Sequence, residues 1–134
     1  MSAQRSSFVR RILVADAIIS GTSGVIMLAG SGLLETLLGV PSALLRYAGA
    51  SLLPFAIVVT WLARRDDLST GGVWAVIIAN ALWALDSLVL LVTGWVAPTA
   101  LGYTFIVFQA AVVALFAELQ YVGLRRNREF VIGD

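Results

Sequence analysis

The sequence predicts an all-α protein, a bundle of four transmembrane helices that run up-down-up-down. Two observations predict this fold. The 134-residue chain is 60% hydrophobic and 13% charged, with a mean hydropathy of +0.94, whereas a soluble domain carries about 25% charged residues. The apolar residues also fall in four blocks of about 20 residues, the length at which a helix crosses a hydrocarbon core of about 30 Å. Inside a bilayer each block must satisfy its own backbone polar groups, which a helix does.

The four blocks predict helices within a single integral membrane domain that covers residues 1–134. Pro41 and Pro98 precede the second and fourth blocks, at positions where proline is tolerated in a first helical turn. Gly94 closes the third block, and Gly123 follows the fourth as a candidate helix C-cap residue. The predicted helices cover about 11–31, 43–63, 72–92 and 99–122.

The segment between the first two blocks, LLETLL at 33–38, allows two interpretations. It is either the last turns of the first helix or a short interfacial helix. We expect the second, because one helix from Arg11 to Leu38 would be about 42 Å long.

The basic residues predict an orientation. All nine are arginine, and three precede the first helix, two lie between the second and third, and three follow the fourth. Only Arg46 lies elsewhere. The excess of arginine on one side predicts that this side and both termini face the cytoplasm. Arginine in place of lysine, with much Ala, Gly, Leu and Val, is typical of a GC-rich bacterial genome, so we expect a bacterial inner membrane.

The composition also excludes several kinds of chemistry. The chain has no cysteine and no histidine, which removes disulfides, thiolate and imidazole metal ligands, and histidine-based catalytic triads. A net charge of +1 does not recruit nucleic acid. We therefore expect a protein that is not an enzyme and has no cofactor, no catalytic or metal site and no nucleic-acid partner.

A candidate polar site combines Asp16, Asn80 and Glu118, which lie inside the predicted spans. Polar and ionisable groups are costly there and suggest function. The rise per residue places Asp16 and Glu118 about 8 Å and 6 Å from the cytoplasmic end, and the first and last helices of an up-down bundle are neighbours. We expect the two acids to meet and share a proton. Alternatively, both acids pair with interfacial arginines within snorkelling reach.

Arg46 and Asp86 are a candidate intramembrane ion pair near the other end of the bundle, because pairing is the usual way in which a membrane protein tolerates both charges.

Along the first helix, small and polar residues share a face that includes Asp16 and Ser20. We expect that face to point into the bundle and the opposite face, with Val14, Ile18, Val25 and Ala29, to contact lipid.

Two functions fit these features. The first is a small non-enzymatic accessory or scaffold subunit that contacts the lipid bilayer and another membrane protein or a second copy of itself. The alternative is a small homodimeric transporter or ligand carrier with an acidic inner-leaflet site.

Overall fold

The computed structural model describes the backbone of residues 2–133 and the side chains of residues 7–126. The helices are α1 (Ser2–Ala29), α2 (Ser31–Leu38), α3 (Ser42–Arg64), α4 (Thr70–Thr93) and α5 (Ala100–Gly133), and the described part of the chain contains no strand. The four long helices contain segments long and apolar enough to cross a membrane: Ser7–Ala29, Ser42–Arg64, Thr70–Thr93 and Ala100–Arg126. The prediction of an all-α protein with four spans is confirmed, and the chain is a multi-pass membrane protein.

The short helix α2 is separate from α1, as expected. It ends at Gly39, whose φ of 70° lies in the left-handed region that favours glycine. The Glu35 carboxylate of α2 accepts a hydrogen bond from the backbone N–H of Ser42 at 2.7 Å, and so it satisfies one of the unpaired donors at the start of α3.

The last helix is longer than predicted, because Gly123 does not end it. Gly123 is buried, and a Cβ atom on it would lie 2.7 Å from Val9 and 2.9 Å from Phe8. Glycine at this position therefore serves the close packing of α5 against α1, and the helix continues past it.

Close packing of α1 against α3 is the most extensive contact between helices. At their crossing, a Cβ atom on Gly24 would lie 3.0 Å from the Gly49 carbonyl oxygen, and one on Gly49 would lie 2.7 Å from the Gly24 carbonyl oxygen. Small residues permit backbones to approach this closely in lipid. The small residues of α1 thus face the bundle, as predicted.

Two clusters of buried apolar residues fill the bundle. The first lies at the arginine end, the end at which Arg10, Arg64 and Arg125 lie, and draws on α1, α3, α4 and α5 through residues such as Leu13, Val59, Val73 and Leu124. The second lies towards the far end, the opposite end that holds α2, and includes Met27, Leu38, Leu45 and Ile106. Val14, Ile18, Val25 and Ala29 are exposed on the outside of the bundle, in agreement with their predicted contact with lipid.

Arg10 joins α1 to the end of α3. Its guanidinium donates hydrogen bonds to the backbone carbonyls of Ala63 (2.7 Å), Arg65 and Asp66 (2.9 Å). Carbonyls at a helix C-terminus lack intrahelical partners and carry partial negative charge, so a cation is favourable there. Arg10 is consequently held at the surface of the arginine end.

Candidate functional site

A cluster of four buried polar side chains is centred on Asp16, which is 1% exposed. The Asp16 Oδ2 atom accepts hydrogen bonds from Asn80 Nδ2 and from Gln120 Nε2, each at 2.7 Å. Ser20 Oγ donates to Asp16 Oδ1 at 3.2 Å, and Asn80 Nδ2 also donates to Gln120 Oε1 at 3.1 Å. We call these four residues the Asp16 cluster.

Three helices supply the Asp16 cluster: α1 gives Asp16 and Ser20, α4 gives Asn80, and α5 gives Gln120. Ser20 lies one helical turn after Asp16, on the same face. All four side chains are buried, with exposures from 0% to 8%. Buried polar groups are costly unless they are hydrogen-bonded, so this cluster ties α1, α4 and α5 together.

Of the predicted polar site, the structure brings Asp16 and Asn80 together and leaves Glu118 outside. Glu118 is exposed on α5. It is two positions before Gln120, which corresponds to a rotation of about 200° around a helix. The side chain from α5 that contacts Asp16 is therefore the amide of Gln120, and no pair of carboxylates forms.

The alternative in which Asp16 pairs with an interfacial arginine does not occur either. Arg10, six residues before Asp16, donates to carbonyls at the end of α3, and Arg11, five residues before Asp16, is exposed. In the part of the chain whose side chains are described, the partners of the Asp16 carboxylate are the neutral groups of Ser20, Asn80 and Gln120.

The structure does not join Arg46 to Asp86. Arg46 donates to Ser31 Oγ and Ser42 Oγ, each at 3.2 Å, so its guanidinium lies along α2 and the start of α3. Between residues 7 and 126 no hydrogen bond or ion pair reaches the Asp86 carboxylate. The prediction matched depths along the membrane, but α3 and α4 make little contact with each other, and this separates the two charges.

Asp86 instead lines a cavity of about 480 Å³ among the four long helices. We call it the interhelical cavity. Apolar side chains dominate its wall, and two lining aromatic residues, Tyr47 and Phe108, are 76% and 67% exposed. The cavity is therefore open to the outside of the bundle. Its lining includes Ser20, Ser23, Leu45, Leu52, Trp83, Asp86, Ser87, Phe105 and Gln109.

Gln109 organises a second polar network on the cavity wall. Its Oε1 accepts from Trp83 Nε1 at 2.8 Å, and its Nε2 donates to Ser87 Oγ at 2.9 Å and to the Ile106 carbonyl at 3.0 Å. These bonds fix the Trp83 ring against the cavity. Trp83 is the tryptophan farthest from either end of its helix, and its indole N–H requires such a partner in an apolar setting.

The Asp16 cluster lies just beyond the arginine-end floor of the interhelical cavity. Ser20 belongs to both, because its hydroxyl donates to Asp16 and it also lines the cavity. On α4, Asn80 lies one turn before Trp83. The arrangement thus combines an open apolar cavity, one unpaired carboxylate in its wall, and a second carboxylate buried beneath it.

Gln109 and Gln120 were not among the predicted site residues, although a signal for them was present. They are eleven residues apart, which returns to within about 20° of the same helix face. Two amides on one face of an apolar helix indicate a face that points into the bundle, since polar side chains in membranes avoid lipid.

No protein-family profile matches this chain, and no curated protein and no solved structure is significantly similar to it.

Proposed function

We propose that this chain is a non-enzymatic protein of the bacterial inner membrane that binds an amphipathic molecule with a cationic head in the interhelical cavity. The proposal keeps the ligand-carrier alternative but places its acidic group at Asp86, towards the far end, instead of in the inner leaflet. A cavity of about 480 Å³ falls within the range of about 300–1,000 Å³ that is typical of small-molecule sites. Its wall is mostly apolar with a few polar groups, which is also typical of such sites.

The observation that carries the proposal is the unpaired carboxylate of Asp86. It lies about 10 Å from the end of α4 at Thr93, within a membrane span, and the described chain supplies no partner for it. A charge inside a span is costly unless it is paired or faces water. A ligand with a cationic head and an apolar body would pair with Asp86 and fill the apolar cavity.

An accessory or scaffold role is supported less well. It requires the small residues to pack against a partner, but Gly21, Gly24 and Gly49 are occupied by contacts between α1 and α3. Contact of the outer surface with the lipid bilayer accounts for its many exposed apolar side chains. A protein partner and self-association stay predictions.

The proposed orientation has the arginine end in the cytoplasm. It rests on the arginine distribution and on the even number of spans. Topology reporters fused after Arg65 and after Arg128 should read cytoplasmic, and those fused after Gly39 and after Val96 should read periplasmic. A periplasmic signal after Arg128 would contradict this orientation.

Binding of a fluorescent quaternary alkylammonium to the protein in lipid nanodiscs tests the proposed ligand class. The matched probe is its uncharged isostere, in which a tert-butyl group replaces the trimethylammonium head. We expect the cationic probe to bind the native protein more tightly than the isostere. Asp86→Asn should weaken binding of the cation at least about tenfold, or about 1.4 kcal/mol. This expected loss lies within the range for a charge pair at 4 Å, which contributes about 1 kcal/mol in water and about 4 kcal/mol at an effective dielectric constant of 20.

Glu118→Gln is the control, because Glu118 is also an exposed acid within a span but lies outside the cavity lining. It should leave binding unchanged, and nanodiscs without protein correct for partition of the probe into lipid. Equal loss in Asp86→Asn and Glu118→Gln, or equal affinity for the two probes, would contradict the proposal.

A further inference from the structure

The Asp16 carboxyl group is buried in the span Ser7–Ala29, and its three hydrogen-bond donors are neutral. An ionised carboxylate at such a position lacks the cation that normally accompanies it. The neutral donors offset part of this cost. Binding of a proton or a monovalent cation would therefore lower the free energy of a carboxylate at this position.

The neighbouring helices supply no such charge. In sequence, α3 has no ionisable side chain between Tyr47 and Arg64, and α4 has none between Thr70 and Asp86. On α5 the ionisable residues nearest in sequence to Gln120 are Glu118 and Tyr121, which are both exposed.

The two oxygens of Asp16 differ in their partners. Oδ2 accepts two amide N–H groups at 2.7 Å, whereas Oδ1 has only the longer bond of 3.2 Å from Ser20 within the described side chains. An amide N–H can only donate, but a serine hydroxyl can donate or accept. A proton on Oδ1 would thus donate to Ser20 Oγ, and the Ser20 hydroxyl would rotate away. This reverses one hydrogen bond and moves no heavy atom.

Ser20 also provides the route for the proton, because it lines the interhelical cavity. The cavity is open to the outside of the bundle, and Ser23 lines it one turn further along α1. The Asn80 and Gln120 amides close the other side of the carboxyl group.

We propose that Asp16 is a reversible proton-binding site that exchanges its proton with the interhelical cavity through Ser20. Uptake converts the carboxylate and a proton from cavity water into a carboxylic acid on Oδ1, and release reverses this step. The site goes beyond the proposed function, because it depends on the Asp16 cluster and not on a cationic ligand at Asp86.

Infrared difference spectroscopy of the ligand-free protein in nanodiscs tests the site directly, between about pH 4, near the pKa of a free aspartate, and about pH 9. We expect a carbonyl band of a protonated carboxyl group that grows as the pH falls. It should be absent in Asp16→Asn and retained in Asp86→Asn and Glu118→Gln. This experiment uses no alkylammonium probe, so its failure would not bear on the binding experiment at Asp86. Failure of the binding experiment would likewise not bear on proton binding at Asp16.

Ser20→Ala distinguishes the proposed route from simple burial. It should shift the carbonyl band, since the proton on Oδ1 loses its acceptor, and it should slow hydrogen–deuterium exchange of that band. Asp16→Glu is the second variant if Asp16→Asn does not fold, and it should retain a shifted band.

Three results would overturn the proposal. They are a native protein without a titrating carboxyl band, a band that survives in Asp16→Asn, and a Ser20→Ala variant with unchanged band position and exchange rate. A stabilisation by sodium in a protein whose Asp16 never protonates would instead assign the site to a metal cation.

Discussion

Replacing Gln120 by leucine should destabilise the bundle because it removes two hydrogen bonds of the Asp16 cluster. Gln120 is 0% exposed, donates to Asp16 at 2.7 Å and accepts from Asn80 at 3.1 Å. A hydrogen bond to a charged group contributes about 1.5–3 kcal/mol, and a neutral one between membrane helices contributes about 0.6 kcal/mol. Gln120→Leu should therefore lower the free energy of unfolding by about 2–4 kcal/mol.

The measurement is reversible unfolding in mixed detergent micelles, followed by tryptophan fluorescence and circular dichroism. Glu118→Gln on the same helix is the control and should change stability little, because Glu118 is exposed. In an Asp16→Asn background the acceptor is neutral, so Gln120→Leu should cost about 1 kcal/mol. The difference is a coupling free energy of about 1–3 kcal/mol between contacting residues.

Two results would refute this reasoning. If Gln120→Leu costs the same in the native and Asp16→Asn backgrounds at a pH at which Asp16 is ionised, Gln120 makes no charge-assisted hydrogen bond to Asp16. If Glu118→Gln costs as much as Gln120→Leu, the assignment of the inward-facing side of α5 is wrong.

Two further substitutions test the packing that positions the site. Gly49→Ala should destabilise the protein by about 1–3 kcal/mol through overpacking, because its Cβ atom would lie 2.7 Å from the Gly24 carbonyl oxygen. Gly32→Ala is the control and should not destabilise the protein, because a Cβ atom there would have no neighbour within 4 Å. Equal effects of the two substitutions in unfolding titrations would contradict the close crossing of α1 and α3. Arg10→Ala should cost about 1–2 kcal/mol in the same assay, since it removes a cation from the end of α3, whereas Arg11→Ala should leave stability nearly unchanged.

The fold was predictable from the sequence because its determinants are local. The length and hydropathy of each apolar block suffice to predict a membrane-spanning helix. The separate helix α2 was expected from the length of one continuous helix, but α5 has 34 residues, so length alone does not end a helix. The continuation of α5 past Gly123 was not predictable, because a glycine serves a helix end or close packing equally well, and only the position of Phe8 and Val9 decides between them.

The candidate site was predictable only in part. Asp16 and Asn80 were grouped because both are polar residues within the predicted spans, and the structure joins them by a hydrogen bond. Glu118 was predicted to join this site because it is charged, without regard to the helix face on which it lies. The inward-facing side of α5 instead carries the neutral amide of Gln120. The separation of Arg46 from Asp86 was not predictable from the sequence. The depth of a residue along its helix does not show that the consecutive helices α3 and α4 make little contact.

The central claim is that a cationic amphiphile occupies the interhelical cavity, and photo-crosslinking tests it most directly. A quaternary alkylammonium that carries a diazirine is activated on the native protein in nanodiscs, and its attachment sites are mapped by mass spectrometry of peptides. We predict attachment at cavity-lining residues such as Leu52 and Phe105, lost on competition with unlabelled ammonium and in Asp86→Asn. Attachment spread over outward-facing residues such as Ile18 and Val92, and equal labelling by an uncharged isostere, would contradict the claim.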